Sequence, residues 1–437
     1  MKRFFARNKD ILSIAIPSIV SNITVPLLGL VDLSIVGHIG NGATIGAIAV
    51  GSMIFNVIYW VFGFLRMGTS GMTAQALGKK DVRGTQQLLS RSIFVALAVA
   101  GLMVLFQSPL LHAALWAMPV EHEALHLVNI YYRICIWGAP AMLCLYGLTG
   151  WFIGMQNTRI TMFVSITQNI VNIAASLCFV YIGRMNIEGV ALGTLTAQYA
   201  GLACSLWFLF SRYQIPVSVF FRKDTFERSA LCRFFNINRD IFLRTLCLVS
   251  VNLYFVATGA RLGTEILAAN ALLMQLFTLF SYVMDGFAYA GEALCGRYHG
   301  ANDRSQFDDT AGRLFKWAAV MVVVYTGVYW CGGDSLLALL ANDKNVISTA
   351  SSYIGWAYAI PLSGAAAFVW DGIFIGTTDS KKMLQSAGLA AILFFVVEKL
   401  TADTMGNHGL WLAFLLYLAA RGGIQTWMFW RMRQKGA

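Results

Sequence analysis

Apolar runs of about 20 residues recur along the whole chain, each long enough to cross ~30 Å of hydrocarbon as a helix. In lipid no water is present to satisfy a free N–H or C=O, so a spanning chain must be helical or a closed barrel. These runs are continuously apolar, without the period-two alternation of barrel strands, which selects helices. Twelve are read, at about residues 11–37, 43–70, 88–111, 127–150, 160–182, 188–211, 240–259, 266–292, 314–333, 350–376, 384–400 and 409–430. The composition agrees: 58% of the 437 residues are hydrophobic and 12% charged, against roughly 25% charged in soluble domains. An all-α integral membrane protein follows.

The same ending appears on two of the spans, Gly150-Trp-Phe-Ile-Gly154 and Gly372-Ile-Phe-Ile-Gly376, at an offset of 222 residues. That offset also pairs Gly78 with Gly300, Asp81 with Asp303 and Tyr131 with Tyr353. Two pseudo-symmetric six-helix lobes are expected: residues 1–212, a basic cytoplasmic linker at 213–238 containing Pro216, and residues 239–437. Six spans is an even number, so both halves have the same topology about an axis along the membrane normal. A transporter that rocks one half against the other uses such a duplication.

The formal charge of +11 would suggest nucleic acid in a soluble protein, but its placement points to lipid. With the N-terminus inside, only Arg184, Arg261, Lys344 and Lys399 lie in outer segments, and Arg66, Arg133, Arg244 and Arg421 lie within spans. The other 24 of the 32 Lys and Arg residues are on the inner side. This bias predicts that both termini are cytoplasmic, with anionic inner-leaflet lipid as the partner of the charge. The first span is too long for a cleavable signal and lacks a clear A-x-A site. The eight cysteines are scattered without a CxxC or CxxH pair, so free thiols and no metal or other cofactor are expected.

Ionisable side chains within spans are functional candidates by default, because charge in hydrocarbon is costly. Asp32 comes first. It follows Pro26 by six residues in Ser21-Asn22-Ile-Thr24-Val-Pro26-Leu-Leu-Gly29-Leu-Val-Asp32, about 9 Å of helix. It falls in the outer half of the membrane, where desolvation suits a carboxylate that takes a proton. The bland alternative is an ion pair with Arg133. Pro17 and Pro26 each remove a backbone hydrogen bond and offer hinges in span 1. The region of span 7 that corresponds to Asp32 offers Asn252, so the halves differ chemically.

The second half carries Asp285, Glu292 and Asp371 with Arg244 and Arg421. Two readings stand side by side: an ion-pair network that stabilises one conformation, or a second cation or proton site. Span 5 places Gln168, Asn169, Asn172 and Ser176 at intervals of three and four, hence on one inward-looking face, which Thr194 and Thr196 of span 6 could join. Interhelical hydrogen bonding alone would account for the same pattern. Gly68-Thr-Ser70-Gly71 has the GxSG form of an intramembrane serine protease, but all six histidines lie at span ends or in loops. Small-residue helix packing is the better reading. Abundant aromatics and methionines fit a lipid-facing surface, or else an adaptable cavity for large apolar cations.

Pro17, the Ser21–Asp32 segment, Thr73-Ala-Gln75-Ala-Leu-Gly78, Asp285-Gly-Phe-Ala-Tyr-Ala290, Glu292-Ala293 and Asp371-Gly-Ile-Phe-Ile-Gly376 together resemble the DinF branch of the MATE (multidrug and toxic compound extrusion) family. The resemblance covers essentially the whole chain. It implies two six-helix lobes in a bacterial inner membrane and efflux coupled to H⁺ or Na⁺. It also implies that Asp32 is the main coupling residue, with Thr149, Asn172 and Thr194 as polar cavity positions. Many relatives have an aspartate where Ser176 stands, which puts a two-carboxylate Na⁺ site in the first lobe in doubt. The expected function is cation-coupled efflux of amphipathic or cationic small molecules by alternating access, H⁺ being favoured, by a monomer that is not an enzyme. Asp32, Asp371 and Asp285 are the coupling candidates, and Asn22, Thr149, Asn169, Asn172, Ser176 and Thr194 are the candidates for the substrate cavity. The rivals are a lipid-linked oligosaccharide flippase of the same superfamily and, more remotely, the protease.

Overall fold

The computed structural model describes residues 8–24, 42–117, 122–341 and 343–435. Asp32 and Pro26 lie outside these. The described residues are helical nearly throughout and contain no strand. In order they form α1 (8–24), α2 (Gly42–Phe62), α3 (Phe64–Gly78), α4 (Val82–Leu105), α5 (Gln107–Ala117), α6 (His122–Cys135), α7 (Ala139–Gly154), α8 (Thr158–Leu177), α9 (Ile187–Arg212), α10 (Arg228–Leu262), α11 (Thr264–Gly300), α12 (Arg304–Leu340), α13 (Lys344–Thr377), α14 (Ser380–Met405) and α15 (Asn407–Lys435). Among the described residues, nine helical stretches are long and apolar enough to cross a membrane. The other three expected spans correspond to α1, α9 and α15.

Two compact units emerge, one of residues 20–235 and one of residues 1–19 with 236–437. Helix α1 therefore contributes to both, and it stays helical through the buried Pro17.

Several elements depart from the sequence expectations. The run at 88–111 ends at Leu105, and a separate short helix starts at Gln107. The span read at 127–150 is interrupted by a 3-10 turn at Ile136–Gly138, just before Pro140. Its counterpart α13 is continuous despite Pro361 in its interior. The linker read at 213–238 holds 3-10 turns at Val217–Phe221 and Lys223–Phe226, and α10 already starts within it, at Arg228. Phe234, Ile237 and Ile241 explain that early start: they are buried at helical spacing while Arg239 stays largely exposed. The linker docks on the first unit, where Arg91 Nε donates to the Thr225 carbonyl at 2.6 Å.

The 222-residue repeat is realised as repeated contacts. A Cβ on Gly150 would lie 2.3 Å from the Arg66 carbonyl oxygen, and one on Gly372 the same 2.3 Å from that of Ala288. One turn on, Gly154 faces the Ser70 carbonyl and Gly376 that of Glu292, at 2.7 and 2.8 Å. Every partner in these pairs differs by 222. The two seams, α3 with α7 and α11 with α13, bring backbones together at small residues, as membrane helices do when no water drives their association. The turns repeat too. Left-handed residues pair at the same offset: Lys80 with Asn302, Gln156 with Thr378, and Arg184 with Gly406. Asp81 and Asp303 cap the next helices by accepting from Gly84 N at 2.8 Å and Gln306 N at 3.0 Å.

A substitution series follows directly. Gly372→Ala is expected to cost about 1–3 kcal/mol, because its methyl group meets backbone that cannot rotate away. Gly388→Ala, with nothing within 4 Å of the new methyl, is expected to be neutral or slightly stabilising. Thermal unfolding of the two purified proteins in detergent checks the contrast. Equal melting temperatures would refute the seam.

Candidate functional site: a buried carboxylate held by two arginines

The second unit buries three charged side chains in one cluster. Asp371 comes from α13, Arg244 from α10, and Arg421 from α15, each no more than 6% exposed. Asp371 Oδ2 accepts from Nη2 of Arg244 and from Nη2 of Arg421, the latter at 2.6 Å. The other oxygen, Oδ1, accepts from Gln425 Nε2 at 2.7 Å. The Arg421 guanidinium also sits 5.5 Å from the centre of the Tyr417 ring, a distance at which the ring face attracts a cation. Three helices are thereby tied at one carboxylate. Taking such charges out of water costs several kcal/mol per ion, and only their mutual attraction and hydrogen bonds offset it. Among the described residues, Nε of both arginines and Oε1 of Gln425 lack a hydrogen-bond partner.

Asp371, Arg244 and Arg421 are candidates on sequence grounds, whereas Gln425 is not among them. Its signal was present: Gln425 follows Arg421 by four residues and so shares its helix face. Asp285 and Glu292 sit on α11, the first half-buried and the second 1% exposed. Neither is a hydrogen-bonding partner of Asp371. Also missed was Glu398 on α14, 5% exposed, which accepts from the Tyr254 hydroxyl at 2.8 Å. At the repeat offset, Tyr254 corresponds to Asp32 and Glu398 to Ser176. Each half thus has one carboxylate and one hydroxyl at these two positions, exchanged between them.

The first unit gathers the polar residues of α8. Asn172 and Ser176 are fully buried, and Gln168 and Asn169 are half-buried. Asn172 Nδ2 donates to Thr194 Oγ1 at 3.2 Å, and Asn169 Nδ2 to the Thr24 carbonyl at 3.0 Å. Among the described residues, Asn172 Oδ1 and Ser176 Oγ have no hydrogen-bond partner, an uncommon condition for buried polar atoms. Ser21 and Ser165 share a hydrogen bond of 2.6 Å beside them. Asn22 and Thr149 are half-buried on α1 and α7. Arg133, considered above as a partner for Asp32, is exposed and bonds Asn129 on its own helix at 2.7 Å. Ser70 of the GxSG motif is fully buried in the α3–α7 seam, where its hydroxyl donates to the Met67 carbonyl at 3.0 Å. That is the packing role expected for it.

Both halves of the chain match the MatE family profile, over residues 17–178 and 241–400. This chain belongs to the MatE family. It is 35% identical over 415 residues to DNA damage-inducible protein F of Escherichia coli (strain K12), covering 95% of this chain and 90% of that protein. A probable multidrug resistance protein NorM of Photorhabdus laumondii is 23% identical over 450 residues, covering 98% of this chain and 96% of its own length. Among solved structures, MATE in the bent conformation superposes with a TM-score of 0.88 over 98% of this chain and 96% of that one, at 16% identity. An outward-facing MATE transporter of the MOP superfamily gives 0.87 at 17% identity, with the same coverage. The MatE fold, that of a multi-pass membrane transporter, is thereby established.

Proposed function

We propose that this MatE protein is an H⁺-coupled multidrug efflux antiporter of the bacterial inner membrane, working by alternating access. Asp32 carries the coupling proton, and the second-unit cluster acts as an ion-pair latch. The observation that carries this reading is that both oxygens of Asp371 are already engaged by N–H donors. A hard cation is bound through several oxygen ligands. Na⁺ at Asp371 would therefore have to displace two guanidiniums and an amide. A proton at Asp32 needs one carboxylate, and the first unit also holds the Ser176 hydroxyl and the Asn172 carbonyl, two buried polar groups without a hydrogen-bond partner among the described residues. Drug-like substrates are suggested by the NorM relative, whose description is a probable multidrug resistance protein. The test is counterflow of a dye panel in proteoliposomes with ΔpH and ΔNa⁺ imposed separately. Uptake driven by ΔNa⁺ alone would overturn H⁺ coupling.

Ser176 is not a coupling residue on this reading, since a hydroxyl does not titrate in the physiological range. Ser176→Ala is expected to keep ΔpH-driven transport at the wild-type level, with substrate affinity free to change. Loss of the ΔpH dependence with substrate binding retained would reassign the first-unit proton site.

A further inference from the structure

The two halves diverge at one place where the repeat would make them match. In the first unit Trp151 is 1% exposed, and its indole N–H donates to the Thr85 carbonyl at 2.9 Å. Tyr213, just past α9, sets its ring edge-on to that indole at 4.8 Å, and Asn157 donates to its hydroxyl at 3.2 Å. Burial pushes the Tyr213 phenol above its ordinary pKa, so it stays neutral. Phe152, Ile215 and Val219 close the same apolar cluster.

Shifted by 222 residues, Trp151 becomes Ile373, Met155 becomes Thr377, Phe210 becomes Met432 and Tyr213 becomes Lys435. Each of these four changes removes a ring or apolar bulk, whereas Ala76 becomes Tyr298 and Thr85 becomes Phe307, which add rings at the edge of the same space. The second unit accordingly has a cavity of about 390 Å³ at this position, walled by Phe307, Ile373, Phe374, Thr377, Phe429 and Met432. That volume lies within the range of small-molecule pockets, roughly 300–1,000 Å³. Phe307 and Phe429 stack with ring centres 6.2 Å apart. At the rim Asp308 pairs with Arg433, and Asp379 with Lys382 at 2.9 Å. Asp308 and Asp379 are therefore already neutralised and Asp303 caps α12; the exposed wall surface is mostly apolar, although Tyr298, His299, Asn302 and Arg304 also line it.

We propose that this cavity binds a neutral aromatic molecule of one or two fused rings carrying an N–H or O–H donor. The first unit shows the chemistry that fills the position, because there the chain supplies an indole and a phenol of its own. The counterpart of the carbonyl that accepts the Trp151 N–H is that of Phe307, in the cavity wall. Packing of ring against ring adds about 0.5–1.5 kcal/mol beyond area alone, which favours such a guest over an acyl chain. The site is built entirely within the second unit and stands apart from the coupling reading. The charge bias of the chain places it on the cytoplasmic side.

The test uses full-length protein in lipid nanodiscs, with 5-fluoroindole as the probe and ¹⁹F NMR as the readout. Wild type is expected to bind the probe saturably. Ile373→Trp, which places at this position the residue of the first unit, is expected to weaken binding at least about tenfold; because Ile373 is already fully buried, thermal unfolding checks that the variant is folded. Met432→Phe restores the smaller difference and is expected to weaken binding less. It decides the matter alone if Ile373→Trp does not fold. Equal binding by wild type and the folded filling variants would overturn the proposal, since the probe would then sit elsewhere. So would saturable binding of decanol, but not 5-fluoroindole, that the filling variants abolish, since the cavity would then be a lipid-chain site.

Discussion

Asp371→Asn is expected to lower the stability of the folded protein by about 3–5 kcal/mol and to stop transport. The size follows from removing one partner of a buried ion pair and leaving uncompensated charge behind. Two guanidiniums rely on this one carboxylate: Arg244 and Arg421 share its Oδ2. Neutralising a base together with the acid leaves one unpaired arginine instead of two. Asp371→Asn with Arg421→Gln is thus expected to recover part of the lost stability and part of the transport per folded molecule. Thermal unfolding and dye transport in proteoliposomes measure the two. A double variant as inactive as the single one, with its fold restored, would mean that the carboxylate acts on the coupling ion and is not a latch. Gln425→Leu offers a milder probe. It removes one hydrogen bond of 2.7 Å from an amide to the ionised carboxylate while leaving both charge pairs in place, so about 1.5–3 kcal/mol is expected.

Asp32→Asn is expected to abolish ΔpH-driven efflux while the protein still inserts and folds. The amide keeps the shape of the carboxylate and loses its titration. The motive is the position: an acid well inside an apolar span is costly to retain without a function. ΔpH-driven counterflow by purified Asp32→Asn at the wild-type rate would end the assignment. The same variant separates the two halves of the mechanism, because it leaves the Asp371 cluster untouched and should melt with the wild-type protein.

The helices and their duplication were legible because both rest on local, one-dimensional signals. A run of apolar residues has to be helical wherever lipid surrounds it. Gly150 and Gly154, with their partners Gly372 and Gly376, were conspicuous in the sequence before their role was known. Their role is close backbone approach to Arg66, Ser70, Ala288 and Glu292. The inward face of α8 was likewise readable from spacing alone, since residues three and four apart share a side of a helix.

Which acid meets which base was not readable. Asp371, Arg244 and Arg421 are 127 and 50 residues apart in pairs, and hydropathy carries no record of such meetings. For the same reason the list of acids could not separate Asp371, which binds both arginines, from Asp285 and Glu292, which hydrogen-bond to neither. Glu398 escaped because one carboxylate near a span end resembles any loop acid until Tyr254 is found against it. The plug and the cavity were hidden more deeply. Trp151 and Ile373 are both ordinary apolar residues in a span, and only packing shows one filling a space that the other leaves empty. Linear order alone carries the lipid solvent, the helices and the two-fold repeat, because periodicity and transfer free energy act residue by residue. The pairing of buried charges and the unfilled volume in the second unit were decided by tertiary structure, because both depend on distances between segments far apart in the chain.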